Sequence, residues 1–564
     1  MYAVIKDALS VFSPGDRIKL LLSIFFLVLT SFVEVIGLAL LAILAGLLLG
    51  QNLEKLLEPI DNLINISITT ESFLVIVVLF FLAKLTLFAL VQFSVLKFVY
   101  KNYSFTVQKL MGSYIGRSYI EFIKNNISTY HRNINNDAFW TFAHVVIPMF
   151  NIITEAFILS TLSLIFISSY DYDIDFIWLL IFPVFVIFFK IYRNFFHKKG
   201  KVSQFRIGEI NRITREMLNS IKFLKTANLH AFARKIITDS VLIYGNNSAL
   251  VKVLAQMPKH VFEFLIVVLI VYYLIGDNIN SGYSTSLGFA LVAILRAIPS
   301  INRIMSEYTM LSYYLPSLVV IKNELNNKNY HFDNLKTSLT IDSIQSLEIN
   351  NLSFSYGAND FSFNNFSYTF YPGNLYLIKG ESGSGKTTFL NLICGLMKPS
   401  RGYIGINNKP FDLSSNDLSM FLSYVPQEVF ITAGTIRSNI VFGRKLDSDS
   451  EKYIEDAIYV SGLEQIVHKR GLDAKVSELG ALFSGGERQR LSIARAIFSR
   501  PKILIMDEAT SAVDLQTKNL IIRRLREKFI DMIIILVSHD VELEKEADFV
   551  LDFSNKSTFS SLDL

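Results

Sequence analysis

The sequence predicts a membrane all-α region of six helices followed by an α/β P-loop domain. Three observations carry this. Of 564 residues, 51% are hydrophobic, a share that calls for a membrane portion. The long apolar runs all lie before residue 320, and the chain from 345 onward reads as a soluble α/β domain. Within that second half, "LYLIKGESGSGKTTF" is a strand, a glycine loop and a helix start.

Six apolar runs meet or approach the roughly 20 residues that a helix needs to cross a hydrocarbon core. They are 18–49, 73–100, 143–170, 175–195, 258–276 and 285–308. The first twelve residues form a mixed run with no small-residue cleavage site, so the first spanning helix is expected to drive insertion. Loop charge sets the orientation. The loop after the second run carries Lys101, Lys109, Arg117, Lys124 and Arg132 against Glu121 and Asp137, and the loop after the fourth is richer still in Lys and Arg. The opposite side carries Asp171, Asp173, Asp175 and Asp277. Both long loops and both termini are therefore expected in the cytoplasm. Gly and Pro are sparse across 190–257, so these loops read as helices that continue past the membrane and return through short tips, near Met111–Tyr119 and Ile221–Ala227.

In the first outer loop, 52–65 has leucine and isoleucine at helical spacing with Glu54, Lys55, Glu58 and Asp61 opposite. Two readings stay open: a helix on the outer membrane surface, or one that caps the bundle. The sequence divides into a membrane domain at 1–322, a polar linker at 323–344 and an α/β domain at 345–564. The net charge of +5 is mild and argues against a nucleic-acid partner. A single cysteine, Cys394, excludes an intrachain disulfide and a cysteine-rich metal site, and its apolar run marks it as a small core residue.

Gly380, Glu381, Ser382, Gly383, Ser384, Gly385, Lys386, Thr387 and Thr388 form the phosphate loop and the helix start behind it. Glycines let backbone N–H groups converge on phosphates, the helix N-terminus points its dipole at them, and Lys386 adds a point charge. Thr387 is placed to ligate Mg²⁺. "PKILIMDE" is a short buried strand that ends in Asp507, an acid for the Mg²⁺ shell, and Glu508, which can polarise a water. Gln427 and His539 also end apolar strands and can reach a γ-phosphate. Tyr356 precedes the loop and can stack on adenine.

These residues carry a resemblance. The stretch from about 345 to 555 resembles the ATPase domain of ABC transporters: aromatic Tyr356, the loop at 380–387, Gln427, a signature at 483–487, the strand 503–507, Glu508, the segment Ser511–Asp514, and His539. "VSELG" at 476–480 and the six helices with long extensions resemble the exporter type, so the expected fold is an exporter-type membrane domain followed by an ABC ATPase domain. The resemblance implies ATP and Mg²⁺ as cofactors, with Gln427 joining Thr387 and Asp507 around the metal, and Glu508, His539 and Gln427 at the catalytic centre. It further implies ATP hydrolysis coupled to transport in the cell inner membrane, with the ATPase domain cytoplasmic. It also explains why the chain carries a second cradle, Ser484, Gly485, Gly486 and Glu487. In this family two ATPase domains close head to tail, and each signature grips the partner's nucleotide. A second copy of the chain, or a paired half-transporter, is the implied partner. The usual signature ends in a neutral amide, and here Glu487 puts a carboxylate near the anion.

The substrate path is read from ionisable groups inside apolar runs: Glu34, Lys84, Arg296 and Arg303, with Glu155 and Glu263 beside them. Arg296 and Arg303 are seven residues apart and share a helix face. Arg303 either joins a cavity or snorkels to the interface. A basic cavity suits an anionic head group such as a pyrophosphate. The run from Ile294 to Ile321 is similar to the sixth helix of bacterial lipid-linked-oligosaccharide flippases. The expected cargo is amphipathic, moved across membrane lipid. A lipid-linked oligosaccharide is favoured, with a peptide, lipid or toxic small molecule as the alternative.

Overall fold

The computed structural model describes residues 2–48, 69–124, 126–169, 176–275, 284–326, 343–355, 362–411, 421–476 and 483–554. Two compact units result: Met1–Arg117 with Lys124–His331, and Ser118–Ile123 with Phe332–Leu564.

The first unit is helical. Its elements are α1 (Tyr2–Val11), α2 (Pro14–Leu48), α3 (Thr70–Ile115), α5 (Ile127–Arg132), α6 (Ala138–Thr141), α7 (Ile147–Ser169), α8 (Phe176–Asn219), α9 (Ile221–Thr226), α10 (His230–Ile275) and α11 (Ser284–Asn326); the intervening α4 (Tyr119–Lys124) is counted, up to Ile123, with the second unit. Proline at the first position of α2 costs no hydrogen bond, because that N–H has no intrahelical acceptor. Thr69 caps α3 by accepting from Ser72 N–H. The described residues of each of the six apolar runs fall within helix. Among the described residues, three helices are long and apolar enough to cross a membrane: Pro14–Leu41, Thr70–Ile115 and Ile127–Leu164.

Helices α3, α8, α10 and α11 have 46, 44, 46 and 43 residues. At about 1.5 Å per residue each is more than twice as long as a ~30 Å hydrocarbon core is thick, so each extends well beyond it. One face of α3 buries Phe73, Val77, Val91 and Val95, while Val78, Leu82 and Leu85 are exposed apolar side chains of the kind a bilayer covers. The tips differ in detail from expectation. Helix α3 runs unbroken through Met111 to Ile115 and turns only at Gly116, so the first tip lies later than 111. The second tip is α9. Helix α11 continues to Asn326, four residues into the segment read as linker. The amphipathic segment 52–65 lies outside the described residues.

Helices α5, α6 and α7 form one rod interrupted by π turns at Asn133–Asp137 and Phe142–Val146. Asp137, at the end of the first π turn, is fully buried. It accepts from Arg132 Nε at 3.0 Å, Gln204 Nε2 of α8 at 2.7 Å and Ser317 Oγ of α11 at 2.7 Å. A buried carboxylate is tolerable only with donors of this kind, so Asp137 ties three helices together. Sequence reading took Asp137 as ordinary loop charge.

The second unit holds two larger sheets. Its elements are β1 (Leu347–Ser355), β2 (Ser362–Phe370), β3 (Leu375–Lys379), α12 (Lys386–Ile393), β4 (Arg401–Ile406), β5 (Lys409–Pro410), β6 (Leu422–Val425), β7 (Gly434–Thr435), α13 (Ile436–Val441), α14 (Ser450–Ser461), α15 (Glu464–Arg470), β8 (Lys475–Val476), α16 (Gly485–Phe498), β9 (Ile503–Asp507), α17 (Leu515–Lys528), β10 (Ile533–Val537), α18 (Leu543–Glu546) and β11 (Phe549–Asp552). An antiparallel sheet has the order β2-β1-β4-β5, and a five-stranded sheet the order β11-β3-β10-β9-β6. Neighbours in the second sheet are parallel throughout. β9 and β10 are buried along their whole length, which is why they read as unbroken Ile/Leu/Met/Val runs. Ile120, from the tip segment counted with this unit, packs against the core that includes Phe421 and Ile505.

Candidate nucleotide site

Parallel pairing puts the carboxyl ends of β3, β10, β9 and β6 along one edge, in that order. The phosphate loop follows β3, His539 follows β10, Asp507 closes β9 with Glu508 after it, and Gln427 follows β6. Residues spread over 160 positions thus meet at the edge where open α/β sheets bind ligands.

In the loop, Gly383 and Gly385 have φ of +80° and +103°, values a side chain would strain. Lys386 is buried, and its Nζ donates to the carbonyls of Gly380 and, at 3.0 Å, Glu381. Ser384 Oγ is buried without a hydrogen-bond partner among the described residues, a vacancy in bonding that a phosphate oxygen would fill. Thr387 stands exposed in the first turn of α12. These features fit a nucleoside triphosphate.

Asp507 is 5% exposed. Burial pushes its carboxyl above the usual carboxylate range, and the nearby Glu508 charge adds to this. Tyr424 OH, donating at 3.1 Å, and the Lys386 charge oppose the shift. A divalent cation beside Thr387, Asp507 and Gln427 would restore the anion, so these donors fit Mg²⁺.

Glu508 has a left-handed backbone, φ +47°, and its N–H donates to Val537 O at 3.1 Å. For a side-chain-bearing residue that conformation costs about 1 kcal/mol or more. Gln427 Nε2 donates to its Oε2 at 2.7 Å, and His539 Nε2 lies 3.6 Å from Oε1. The carboxylate is therefore bracketed by the two strand-end residues. Tyr356 and 477–482 lie outside the described residues.

The signature begins α16. Ser484 and Glu487 form a capping box: Ser484 Oγ accepts from Glu487 N–H at 3.2 Å, and Ser484 N–H donates to Glu487 Oε2 at 2.7 Å. A Cβ on Gly486 would sit 2.8 Å from the carbonyl oxygen of Ala512, so the close approach of 511–514 requires glycine there. Gln489, which sequence reading missed, makes that approach specific. Its Nε2 donates to Ser511 Oγ at 3.0 Å, and its Oε1 accepts from Ala512 N–H at 2.8 Å. Its place four residues after Gly485, on the same helix face, was the only signal. Asp514 caps α17 by accepting from Thr517 N–H at 3.0 Å, and that bond holds its carboxyl below the usual range.

The candidate path residues lie apart from this edge in sequence, on α2, α3 and α11. Arg303 has an acidic partner. Its guanidinium donates to the buried Glu155 at 2.7 Å, and Glu307, bonded by Asn151 at 2.7 Å, is on the same helix one turn on. Two acids lie near one cation at this level, and the Arg303 side chain stays 64% exposed. Lys84 Nζ lies over the Phe81 ring, 5.4 Å from its centroid, and close to Gly37, one turn from Glu34. Arg296 lies on α11, and its side chain is outside what is described.

Residues 363–511 match the ABC transporter family model. A putative export ATP-binding/permease protein of Rickettsia typhi is 30% identical over 321 residues, 55% of each chain. An ATP-dependent lipid A-core flippase of Haemophilus influenzae is 28% identical over 420 residues, 70% of this chain and 68% of that protein. The solved structure of a bacterial Atm1-family ABC exporter with ATP bound aligns with TM-score 0.73 at 17% identity, over 97% of this chain and 94% of that one. The chain spans about half the length of the first curated relatives it matches, 55% for the first two. The phosphate loop, the signature and the parallel sheet that gathers them thus lie in a domain that matches the ABC transporter family model over 363–511, and the chain as a whole has the fold of an ABC exporter, a helical region followed by an α/β domain.

Proposed function

We propose that the chain is an ATP-driven exporter or flippase of an amphipathic substrate, working in the cell inner membrane as a dimer with its ATPase domains in the cytoplasm. One observation carries this reading. The chain bears two half-cradles for one triphosphate, the loop at 380–388 and the signature at 484–487, on separate helices α12 and α16. Two chains head to tail complete two sites. Mg²⁺, held by Thr387, Asp507 and Gln427, supplies charge neutralisation on the phosphates when bound. Glu508 takes a proton from the attacking water, with Gln427 and His539 holding its carboxylate. Tyr356 stacks on the base.

Mixed subunits test the dimer. Lys386→Ala breaks one chain's loop, and Ser484→Arg breaks the other's signature. Each homodimer has no intact site, whereas the mixed dimer keeps one. Co-expressed, doubly tagged mixed dimers are expected to recover ATPase activity that neither homodimer has. Activity no higher in the mixture than in the homodimers would rule against independent shared sites.

For the cargo, the favoured class is a lipid-linked oligosaccharide, with a peptide, another lipid or a toxic small molecule as the alternative. The similarity to a protein named as a lipid A-core flippase supports a lipid. Since Arg303 is matched by Glu155, the anionic head group falls to Arg296 and Lys84. Arg296→Ala is expected to abolish lipid-stimulated ATP turnover in proteoliposomes, and Arg296→Lys to restore only part, because an ammonium cannot bind phosphate in a bidentate way. Full lipid stimulation in a well-folded Arg296→Ala protein would remove Arg296 from the path.

A further inference from the structure

The capping box at the start of α16 uses a charged residue where a neutral amide would make the same bonds. Glu487 Oε2 sits 2.7 Å from Ser484 N, and Glu487 N–H donates to Ser484 Oγ at 3.2 Å. Helix α16 has 14 residues, so its N-terminus carries a full share of dipole, and a carboxylate in the first turn neutralises part of it. That dipole and the first-turn N–H groups are what an incoming phosphate would use. Ser484 is exposed and Glu487 is half-buried, so the charge lies at the face that receives the anion, and solvent screens it only partly.

We infer that Glu487 is an electrostatic brake on site closure: its carboxylate occupies the signature's anion-receiving end and opposes the γ-phosphate of the ATP held by the partner chain's phosphate loop. The inference rests on the shared-site reading above. Glutamine has the same length, and its amide oxygen can accept the same Ser484 N–H, so Glu487→Gln removes the charge and keeps the box. Glu487→Asp keeps the charge. At a separation of about 5 Å in a water-like dielectric, repulsion between unit charges changes an equilibrium constant roughly fourfold, and more where water is partly excluded.

The test measures the ATP KM of the full-length protein in detergent and lipid at about 0.05 M and about 1 M salt. In the homodimer, Glu487→Gln is expected to lower the ATP KM about three- to tenfold at low salt. The gain should shrink towards nothing at high salt, where the screening length is about 3 Å. Glu487→Asp should stay near the parent value. The inhibition constant for ADP, which lacks the γ-phosphate, should not move. An unchanged ATP KM in Glu487→Gln, a gain that survives high salt, or an equal change for ADP each overturns the inference. The mixed dimer separates this from the reading beneath it. Its intact site takes the loop from the Ser484→Arg chain and the signature from the Lys386→Ala chain. Glu487→Gln should therefore lower KM when carried by the Lys386→Ala chain and do nothing when carried by the other. The reverse pattern would overturn both the inference and the shared site. An active mixed dimer whose KM moves with neither placement would overturn the inference alone.

Discussion

Replacing Glu508 with glutamine is expected to cut ATP turnover by about 10²–10⁴-fold while nucleotide binding persists, the usual loss when a general base is removed. The geometry explains why the effect should be confined to chemistry. Glu508 follows a fully buried strand, and its N–H is anchored to Val537 O, so the side-chain origin is fixed by the sheet. Its left-handed backbone aims the carboxylate off the strand end, between Gln427 at 2.7 Å and His539 at 3.6 Å. Glutamine is the same size and keeps an oxygen that can accept from Gln427. What disappears is the ability to take a proton. Steady-state phosphate release and equilibrium nucleotide binding on the same preparation check this. Turnover within a few-fold of the parent would assign the water's activation to another group.

The second large effect is structural. Gly200 on α8 lies so close to α11 that a Cβ would fall inside the Tyr313 carbonyl, with the carbonyl carbon 2.8 Å away. Gly200→Ala must force the helices apart. The contact is not isolated. Phe196, one turn earlier, is fully buried, and Gln204 and Ser317, one turn later on each helix, both donate to the buried Asp137. A separation of about 1 Å would strip donors from a carboxylate that has no access to water. Overpacking typically costs about 1–3 kcal/mol, and each buried hydrogen bond left unmade about 1–3 kcal/mol more, while Arg132 keeps its pair with Asp137. The variant is expected to lose several kcal/mol, seen as a sharply lower melting temperature and poor recovery of monodisperse protein from detergent. A variant that melts with the parent would show that the two helices do not approach so closely.

These two sites illustrate different degrees of legibility. The place of Glu508 at the end of β9 was readable, because an apolar run that stops at an acid pair marks the end of a buried strand. Gly200 was not, because a glycine in a polar helical extension looks the same whether it faces solvent or another backbone. Asp137 was invisible for a related reason. Besides Arg132 five residues earlier, its donors are Gln204 and Ser317, 67 and 180 residues away, and no local pattern announces those two. The ion pair of Arg303 was equally hidden, because its partner Glu155 lies 148 residues earlier. Charge is local in sequence, whereas its compensation is not.

The sequence by itself determined the elements and their chemistry. Apolar runs longer than a bilayer is thick, the period of the buried strands, and the glycine, lysine and acid spacing each follow from forces acting over a few residues. Only the tertiary structure decided how these elements meet. Parallel pairing of β3, β10, β9 and β6 sets Gln427 and His539 on either side of Glu508. Gln489 fixes the signature helix to 511–514 by two hydrogen bonds, and Arg303 finds its counter-charge across the helices. Close packing and the desolvation of charge act between surfaces, and those surfaces exist only once the chain has folded.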